Sequence, residues 1–551
     1  MVIIDFIKQA SPKDLSRMVA LTLVAGFANG LLVVVVNQVA GMVAKGERPG
    51  LWQCLWFVAA FAVYYLCDRA AVLRANTVIE RLLKNLRRSV MDKLRRSELR
   101  IVDSLGRGRL YALVSQETNH LSVTFPLLVE SFQQCVLLGV SLIYLGYLST
   151  AALIVFLAAV LIGAAGYMRL NERFRATLRE LGAREAQMID AIGDIIHGCK
   201  ELRLNVKRSD AVYAAYQEIS QSAAALLRVS GEHWTSIILL SGFVVYFMLG
   251  VVGFIFPEYI HAHGTIVFQL ISTLLFCVSP LSKIVAQSPM FARADVGLSS
   301  IFEVERQLDA GGAIAPAEAR ELAGLYRDFQ HITYTNMTFS YRDAAGAPVF
   351  TAGPWTLDVR RGETMFLIGG NGSGKSTALR LMTGLYPADQ GWIAIDGTIV
   401  AGRAIAGYRE LFSAVFGDFH LFDRLYGLEH VDPEEVNRLI GEMGLDGKVR
   451  FENGRFTDLN LSTGQRKRLA LIAALLEDRP IYIFDEWSAE QDVHFREAFY
   501  TRIIPGLKAR GKTVIAVTHD ERFWHVADRV IKLDLGSVLW ERAGTELEKN
   551  S

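Results

Sequence analysis

The longest uncharged stretch of the sequence strongly limits how the chain can fold. The 38 residues from Ser131 to Met168 contain no Asp, Glu, Lys or Arg. A helix rises about 1.5 Å per residue and the apolar core of a bilayer is about 30 Å thick, so this stretch is too long for one membrane-spanning helix and slightly short for two. We therefore expect a helical hairpin that turns near Ser149 and Thr150, with its first arm beginning near Thr124.

Other apolar stretches bring the number of predicted membrane spans to six. Hydrophobic residues make up 51% of the 551-residue chain, and their excess lies before residue 290, which argues against a single soluble enzyme. We predict an all-α transmembrane domain over residues 1–310, a linker over 311–328 and a second domain over 329–551. The six predicted helices cover about 17–44, 51–73, 124–147, 150–170, 234–257 and 264–288.

Basic residues are concentrated in two of the connections between these spans. Residues 74–110 contain eleven Lys and Arg residues and residues 171–233 contain nine, whereas the other connections carry only Lys45 and Arg48. Lys and Arg accumulate on the cytoplasmic side of membrane proteins, so both long connections and both termini are predicted to be cytoplasmic. The formal net charge is +1, and neither part of the chain has the basic surplus of a nucleic-acid binder.

The strongest motif in the chain lies in the second domain, where strands and helices alternate as in an α/β fold. Residues 369–377 read GGNGSGKST and follow an apolar strand, residues 365–368. This is the P-loop pattern, in which backbone N–H groups surround phosphate oxygens, a Lys neutralises phosphate charge and a Ser hydroxyl binds Mg²⁺. The predicted nucleotide-binding residues are Gly369, Asn371, Gly372, Ser373, Gly374, Lys375, Ser376 and Thr377.

Two further apolar strands end in residues suited to phosphoryl transfer. Residues 481–484 precede Asp485 and Glu486, and residues 513–517 precede Thr518 and His519. One carboxylate can hold Mg²⁺ through water and the next can polarise the attacking water. We therefore predict Asp485 as the metal-side residue, Glu486 as the general base and His519 as a contact for the γ-phosphate.

A short segment before another predicted helix completes the set of motifs. Residues 461–465 read LSTGQ, which taken alone also fits an ordinary helix N-cap. With the other motifs, the whole chain resembles a half-exporter of the ATP-binding cassette (ABC) superfamily, whose signature is LSGGQ. The resemblance implies six spans followed by an α/β P-loop NTPase domain, ATP and Mg²⁺ as ligands, and a homodimer in which Ser462, Gly464 and Gln465 of one copy face ATP bound to the other.

The same resemblance assigns roles to three more positions. Tyr341 matches the aromatic residue that stacks on adenine, and Asp492 matches the aspartate after the second motif strand, although Glu490 and Gln491 are unusual in the segment before it. Most members have Gln where Gly417 stands, and that Gln ligates Mg²⁺. Asp418 is therefore a candidate for a nearby metal-binding carboxylate.

The amino-acid sequences of several segments indicate a class of cargo. SAVFGD, LSTGQRKRLAL, FDEWSAEQD and FREAFY resemble the bacterial cyclic-peptide exporter subfamily, which includes exporters of pyoverdine-type siderophore precursors. The resemblance implies export of a peptide secondary metabolite from cytoplasm to periplasm across the bacterial inner membrane. Alternatives are a lipid or multidrug exporter and, from another class, a membrane-anchored regulatory ATPase that moves nothing.

Polar side chains within the spans are candidates for the translocation path, because such residues are costly in lipid and tend to face the bundle interior. Two short segments, 109–120 and 198–207, are candidates for elements that present the membrane domain to a cytoplasmic partner domain. His261 and His263 form a His-x-His pair for which we expect no metal role. The candidate path residues are Asn37, Gln38, Glu130, Gln133, Gln134 and Lys283.

Overall fold

A computed structural model of the protein describes residues 2–44, 46–106, 110–255, 264–310, 316–322, 324–343 and 346–547. The chain divides into two compact units, one made of residues 1–95 and 102–310 and the other of residues 96–101 and 311–551. Six helices of the first unit are long and apolar enough to cross a membrane, as predicted. His261 and His263 lie outside the described residues.

The first unit is helical throughout its described part. Two π-helical turns, Ala112–Glu117 and Val251–Ile255, adjoin the long helices. The α-helices up to residue 310 are Val2–Ile7 (α1), Pro12–Ala44 (α2), Leu51–Arg96 (α3), Leu99–Leu105 (α4), Thr118–Leu148 (α5), Thr150–His197 (α6), Cys199–Leu204 (α7), Val206–Gly250 (α8) and Gly264–Ala310 (α9). Helix Pro316–Leu322 (α10) belongs to the second unit.

Four of these helices are much longer than a bilayer is thick. Helices α3, α6, α8 and α9 contain 46, 48, 45 and 47 residues, which at about 1.5 Å per residue is roughly 70 Å each. Helix α3 continues past its apolar part because an amphipathic face buries Ile79, Leu83 and Leu86 among other residues. The long basic connections are therefore largely extensions of the spanning helices.

The two short segments predicted to face a cytoplasmic domain differ in their local structure. Residues 112–117 are a π-helical turn that runs directly into α5 at Thr118, because no helix-breaking residue separates them from the span. The short separate helix of that connection is α4 instead, and residues 96–101 group with the second unit. In the other connection, α7 does lie within the predicted segment 198–207.

Small residues allow two of the spans to pack closely. A Cβ added to Gly26 would lie 2.7 Å from Val136 Cβ, and one added to Gly30 would lie 2.6 Å from Val140 Cγ1. The two glycines are four residues apart on α2, so they form a small-residue stripe against α5. The absence of side chains at Gly26 and Gly30 allows α2 and α5 to approach each other closely.

The second unit is an α/β domain with separate parallel and antiparallel sheets. Its helices are Lys375–Met382 (α11), Ala404–Arg409 (α12), Pro433–Glu442 (α13), Thr463–Glu477 (α14), Val493–Ala498 (α15), Ile504–Ala509 (α16) and Gly544–Leu547 (α17). Its strands are His331–Arg342 (β1), Pro348–Arg360 (β2), Thr364–Ile368 (β3), Gln390–Ile395 (β4), Thr398–Val400 (β5), Phe412–Val415 (β6), Phe451–Glu452 (β7), Arg455–Phe456 (β8), Ile481–Asp485 (β9), Thr513–Val517 (β10), Arg529–Asp534 (β11) and Ser537–Ala543 (β12).

The order of the strands explains why the sequence motifs meet. The larger sheet has the order β12-β11-β3-β10-β9-β6, and its strands from β11 to β6 are parallel. Strands β3, β9 and β10 are buried at all five positions, as expected for a sheet covered on both faces. The carboxyl ends of β3, β10, β9 and β6 therefore lie side by side, and ligands bind at such an edge in α/β folds.

Candidate active site

The loop between β3 and α11 has a backbone that only glycine can adopt at two points. Gly369 has φ +147° and Gly374 has φ +96°. A Cβ on Gly369 would lie 2.2 Å from the carbonyl oxygen of Leu533 and 2.7 Å from Ser373 Oγ. Because the loop is folded this tightly ahead of a helix N-terminus, its N–H groups are directed to one small space that suits phosphate oxygens.

Lys375 begins α11 and is 5% exposed. Its Nζ donates to the carbonyl oxygens of Gly369 and Gly370 at 3.1 and 3.0 Å. The ammonium group is thus held over the predicted phosphate loop, where it neutralises anionic charge.

Asp485, the last residue of β9, is the buried carboxylate of the site. A Cβ added to Gly417 would lie 3.8 Å from Asp485 Oδ2, so Gly417 is a close neighbour of this carboxylate. Burial raises the pKa of Asp485, and the Ser376 hydrogen bond opposes that rise. Oδ1 is buried and has no hydrogen-bond partner among the described residues, so it has capacity for a further ligand.

Glu486 follows with a left-handed backbone, φ 50° and ψ 39°, which is uncommon for a residue other than glycine. Its Oε1 lies 3.1 Å from His519 Nε2 and 3.8 Å from Lys375 Nζ. The strand ends therefore bring together Lys375, Glu486 and His519. This arrangement can hold a phosphate chain, orient a water molecule and exchange its proton with Glu486.

The Ser376 and Asp485 pair fits Mg²⁺. Magnesium is usually held by one or two protein oxygens together with water and substrate phosphates, rather than by a cage of carboxylates. In the described part of the chain, no group of three or more His, Cys, Asp or Glu residues is placed to hold a metal ion. Ser376 Oγ and Asp485 Oδ1 are the oxygens available to the ion, which when bound neutralises charge on the phosphate oxygens.

The structure directs the carboxylate of Asp418 toward a different partner. Asp418 Oδ2 accepts a hydrogen bond from Arg380 Nη2 at 3.1 Å, and the Asp418 side chain is 72% exposed. The residue that lies beside Asp485 is Gly417, where an added Cβ would be 3.8 Å from Asp485 Oδ2. The metal role predicted for Asp418 therefore has no support in this geometry, because an Arg already neutralises that carboxylate.

Tyr341 lies on β1 in an aromatic group. Its ring centroid is 5.1 Å from that of Phe339 and 6.4 Å from that of Phe350, and its hydroxyl lies 3.4 Å from Thr377 Oγ1. Phe350 in turn lies 3.2 Å from where a Cβ of Gly374 would be. The predicted adenine platform is thus adjacent to the phosphate loop.

The signature segment is a helix N-cap with an additional reciprocal bond. Gln465 N donates to Ser462 Oγ at 3.4 Å, and Ser462 N donates to Gln465 Oε1 at 3.1 Å, which forms a capping box at the start of α14. Ser462 and Thr463 are exposed, and Gly464 is buried. The exposed helix N-terminus suits an anion that approaches from outside this unit.

The unusual residues after β9 bind this signature helix, which the sequence motifs did not indicate. Gln491 Nε2 donates to the carbonyl oxygen of Gly464 at 3.1 Å, and Gln491 Oε1 accepts from Arg468 Nε at 2.8 Å. Lys467 Nζ donates to the carbonyl oxygen of Glu486 at 2.9 Å and lies 3.3 Å from Glu490 Oε2. The sequence contained one signal for these contacts. Lys467 and Arg468 are basic residues of α14, and Glu490 and Gln491, which depart from the family pattern, can pair with them.

Asp492 is placed by the same network. It is the N-cap of α15, accepts from Phe495 N at 3.1 Å and bonds to Arg468 Nη2. The hydrogen bond from Phe495 N, together with Arg468, lowers the pKa of Asp492. Within this chain Asp492 is occupied in holding α14 to α15 and does not contact the phosphate loop, so its predicted nucleotide contact has no support in one copy of the chain.

The candidate path residues differ in burial and in the partners that they contact. Asn37 is fully buried, and its Nδ2 donates to Thr273 Oγ1 at 3.0 Å, which places it in helix packing and not on a path surface. Gln38 is exposed, and Gln133 and Gln134 are buried. Glu130 and Lys283 form an ion pair, with Lys283 Nζ 2.8 Å from Glu130 Oε1.

Comparisons with known proteins agree with this geometry. The family described as "ABC transporter transmembrane region" matches residues 3–196, and the family described as "ABC transporter" matches residues 353–489. The chain is 30% identical to the ATP-binding protein SyrD of Pseudomonas syringae pv. syringae, over 94% of this chain and 93% of that protein. It is 26% identical to an ATP-dependent lipid A-core flippase of Alkalilimnicola ehrlichii, over 91% of this chain and 86% of that protein.

A solved structure shows the same fold over nearly the whole chain. The structure of a bacterial Atm1-family ABC exporter with ATP bound has a TM-score of 0.79 to this chain, at 19% identity, and covers 98% of this chain and 96% of that one. A transmembrane domain of six spanning helices is followed by an ATP-binding domain in both. The chain belongs to the ABC transporter family and is a multi-pass membrane protein of the exporter type that couples ATP hydrolysis to transport.

Proposed function

We propose that this exporter moves a peptide secondary metabolite, a cyclic peptide or siderophore precursor, from the bacterial cytoplasm across the inner membrane. The observation that carries the cargo assignment is the glycine at position 417 beside Asp485, where an added Cβ would lie 3.8 Å from Asp485 Oδ2. Most ABC proteins have a Gln side chain at this position, and the cyclic-peptide exporters share the departure. The similarity to SyrD over 94% of the chain supports the same class of cargo.

The active unit is proposed to be a homodimer. The N-terminus of α14 is exposed at Ser462 and Thr463, and among the described residues Ser462 forms hydrogen bonds with Gln465 and Arg466 of its own helix. A second copy is therefore needed to bring a signature helix to the phosphate loop around Lys375. Two such sites would form between two copies.

Transport is proposed to follow alternating access. ATP that binds to Lys375 and Ser376 of one copy and to the α14 N-terminus of the other would draw the two ATP-binding domains together. Hydrolysis with Glu486 as general base would release them. The membrane helices would open toward the cytoplasm in one state and toward the periplasm in the other.

A lipid cargo is the second candidate, because the chain is similar over most of its length to proteins named lipid A-core flippases. The test is ATPase stimulation of the purified protein in nanodiscs by a cyclic peptide, by lipid A and by a hydrophobic dye. Stimulation by the peptide alone supports peptide export. Stimulation by lipid A without any effect of the peptide would show that lipid is the cargo. The Glu486→Gln variant provides the background ATPase activity.

A further inference from the structure

Three ionisable side chains lie at a similar depth in three different spans. Asp68 is about 17 residues from the start of α3, Glu130 about 18 from the end of α5 and Lys283 about 19 from the start of α9. Those three helix ends adjoin the short connections, and the rise of about 1.5 Å per residue puts each side chain roughly 25–29 Å from them. Ionisable groups inside a bundle either pair with one another or mark a substrate path.

Two of the three charges neutralise each other. Lys283 Nζ lies 2.8 Å from Glu130 Oε1, and Gln287 Nε2 donates to Glu130 Oε2 at 2.8 Å. Ser131 Oγ also donates to Gln287 Oε1. Glu130 therefore has both oxygens occupied and its charge balanced.

Asp68 is the carboxylate without such a partner. It is half-buried, and it interacts electrostatically with Glu130 and, more weakly, with Lys283. It forms no ion pair with any described residue, although Lys283 balances only one of the two carboxylates. The cluster of Asp68, Glu130 and Lys283 thus carries one excess negative charge.

A buried amide faces the same carboxylate. Gln133 is 4% exposed, and its side chain lies beside Asp68 and Tyr64. Its Nε2 reaches no acceptor at hydrogen-bonding distance among the described residues. Tyr64 is one helical turn before Asp68 on α3, so it borders the same space. A carboxylate without an ion-pair partner among the described residues, a buried amide with an unsatisfied N–H donor and an aromatic ring therefore lie close together.

We propose that Asp68 and Tyr64 bind a cationic group of the cargo, a primary ammonium or a guanidinium, and that Gln133 holds a neighbouring carbonyl oxygen of the cargo. This inference rests on the proposed export of a peptide and adds that the peptide carries a basic side chain. The Asp68 carboxylate pairs with the cation and the Tyr64 ring offers it a cation–π face, while the unsatisfied Gln133 Nε2 donates to a carbonyl oxygen of the peptide. The pair Glu130 and Lys283 keeps a second cation from binding beside the first.

The test compares two cyclic peptides that are identical except that one carries ornithine where the other carries norvaline. The measured quantity is the peptide concentration that half-maximally stimulates ATPase in nanodiscs. We expect wild type to prefer the ornithine peptide by at least about tenfold, the scale of a hydrogen-bonded charge pair. In Asp68→Asn the preference falls to about twofold or less, while Asp68→Glu and the exposed control Glu172→Gln retain it.

A second variant tests the charge balance independently of Asp68. Lys283→Gln frees the Glu130 carboxylate, so its preference for a peptide with two ornithines over a peptide with one should rise above that of wild type. An unchanged ornithine preference in Asp68→Asn, or no gain in Lys283→Gln, would overturn the inference. Equal stimulation by both peptides in wild type would overturn it too and leave peptide export standing, whereas failure of both peptides alongside stimulation by lipid A would reject peptide export itself.

Discussion

Gln491 joins Arg468 to the signature segment, because its Oε1 accepts from Arg468 Nε at 2.8 Å while its Nε2 donates to the Gly464 carbonyl oxygen at 3.1 Å. Gln491 is 5% exposed, so both hydrogen bonds are shielded from water. The residue thereby fixes the start of α14 against the segment that follows Glu486. A departure from the usual family sequence thus serves to position the signature helix.

Replacing Gln491 should loosen that attachment. Gln491→Leu removes the acceptor of Arg468 Nε and one of the hydrogen bonds to the Gly464 carbonyl, and an unsatisfied buried polar group costs about 1–3 kcal/mol. We expect a lower thermal unfolding midpoint of the full chain in detergent and slower ATP turnover, with ATP affinity retained. Leu at the exposed Gln330 is the control, and equal behaviour of the two variants would contradict the positioning role.

The general base can be removed with little change in shape. Glu486→Gln keeps the side-chain length but cannot accept the proton of the attacking water, and general-base catalysis contributes about 10²–10⁴-fold. ATP should still bind, while steady-state ATPase falls at least about 100-fold. Glu497→Gln, at an exposed position, should hydrolyse normally. Near-normal hydrolysis by Glu486→Gln would show that another group acts as the general base.

Lys375 should matter for binding itself. In Lys375→Ala the phosphate loop loses its buried ammonium group, and a hydrogen bond to a charged group contributes about 1.5–3 kcal/mol. Calorimetric titration should therefore show ATP affinity reduced by at least about tenfold. Lys448→Ala removes an exposed ammonium group and should bind as wild type does. Tight ATP binding by Lys375→Ala would count against the phosphate-loop assignment.

Two glycines of the site differ in what they tolerate. A Cβ on Gly417 would lie 3.8 Å from Asp485 Oδ2, an ordinary contact, whereas one on Gly464 would lie 2.4 Å from the Glu490 carbonyl oxygen. Gly417→Ala should leave ATPase within about twofold of wild type, and Gly464→Ala should destabilise the fold by about 1–3 kcal/mol. Paired ATPase and thermal unfolding assays distinguish them, and the reverse order would contradict this packing.

The nucleotide site could be predicted from sequence to a large extent. The motifs that contain Lys375, Glu486 and His519 each follow an apolar strand. Parallel strands place their carboxyl ends at one edge, so the proximity of these three residues follows from the order of elements. The six spans were predictable for a similar reason, since apolar length is a local property. In both cases a local pattern determines the position of the residue.

Long-range contacts were not predictable in this way. Gln491 bonds to residues 23 and 27 positions earlier, and nothing in its own segment signals them. Asp418 lies next to Gly417 in sequence, but Arg380 on another element takes its carboxylate. Asp68 marked the end of an apolar stretch, so its charge indicated a boundary, and only the packing of α3 against its neighbours brings it beside Gln133.

Peptide export itself is tested most directly by uptake into inverted membrane vesicles. Vesicles that contain the wild-type protein should accumulate a labelled ornithine-containing cyclic peptide when ATP and Mg²⁺ are supplied, and vesicles with Glu486→Gln should not. Accumulation should cease when a chelator removes Mg²⁺, because Ser376 and Asp485 are suited to hold the ion. Intact ATP hydrolysis without any ATP-dependent uptake of the peptide would contradict peptide export.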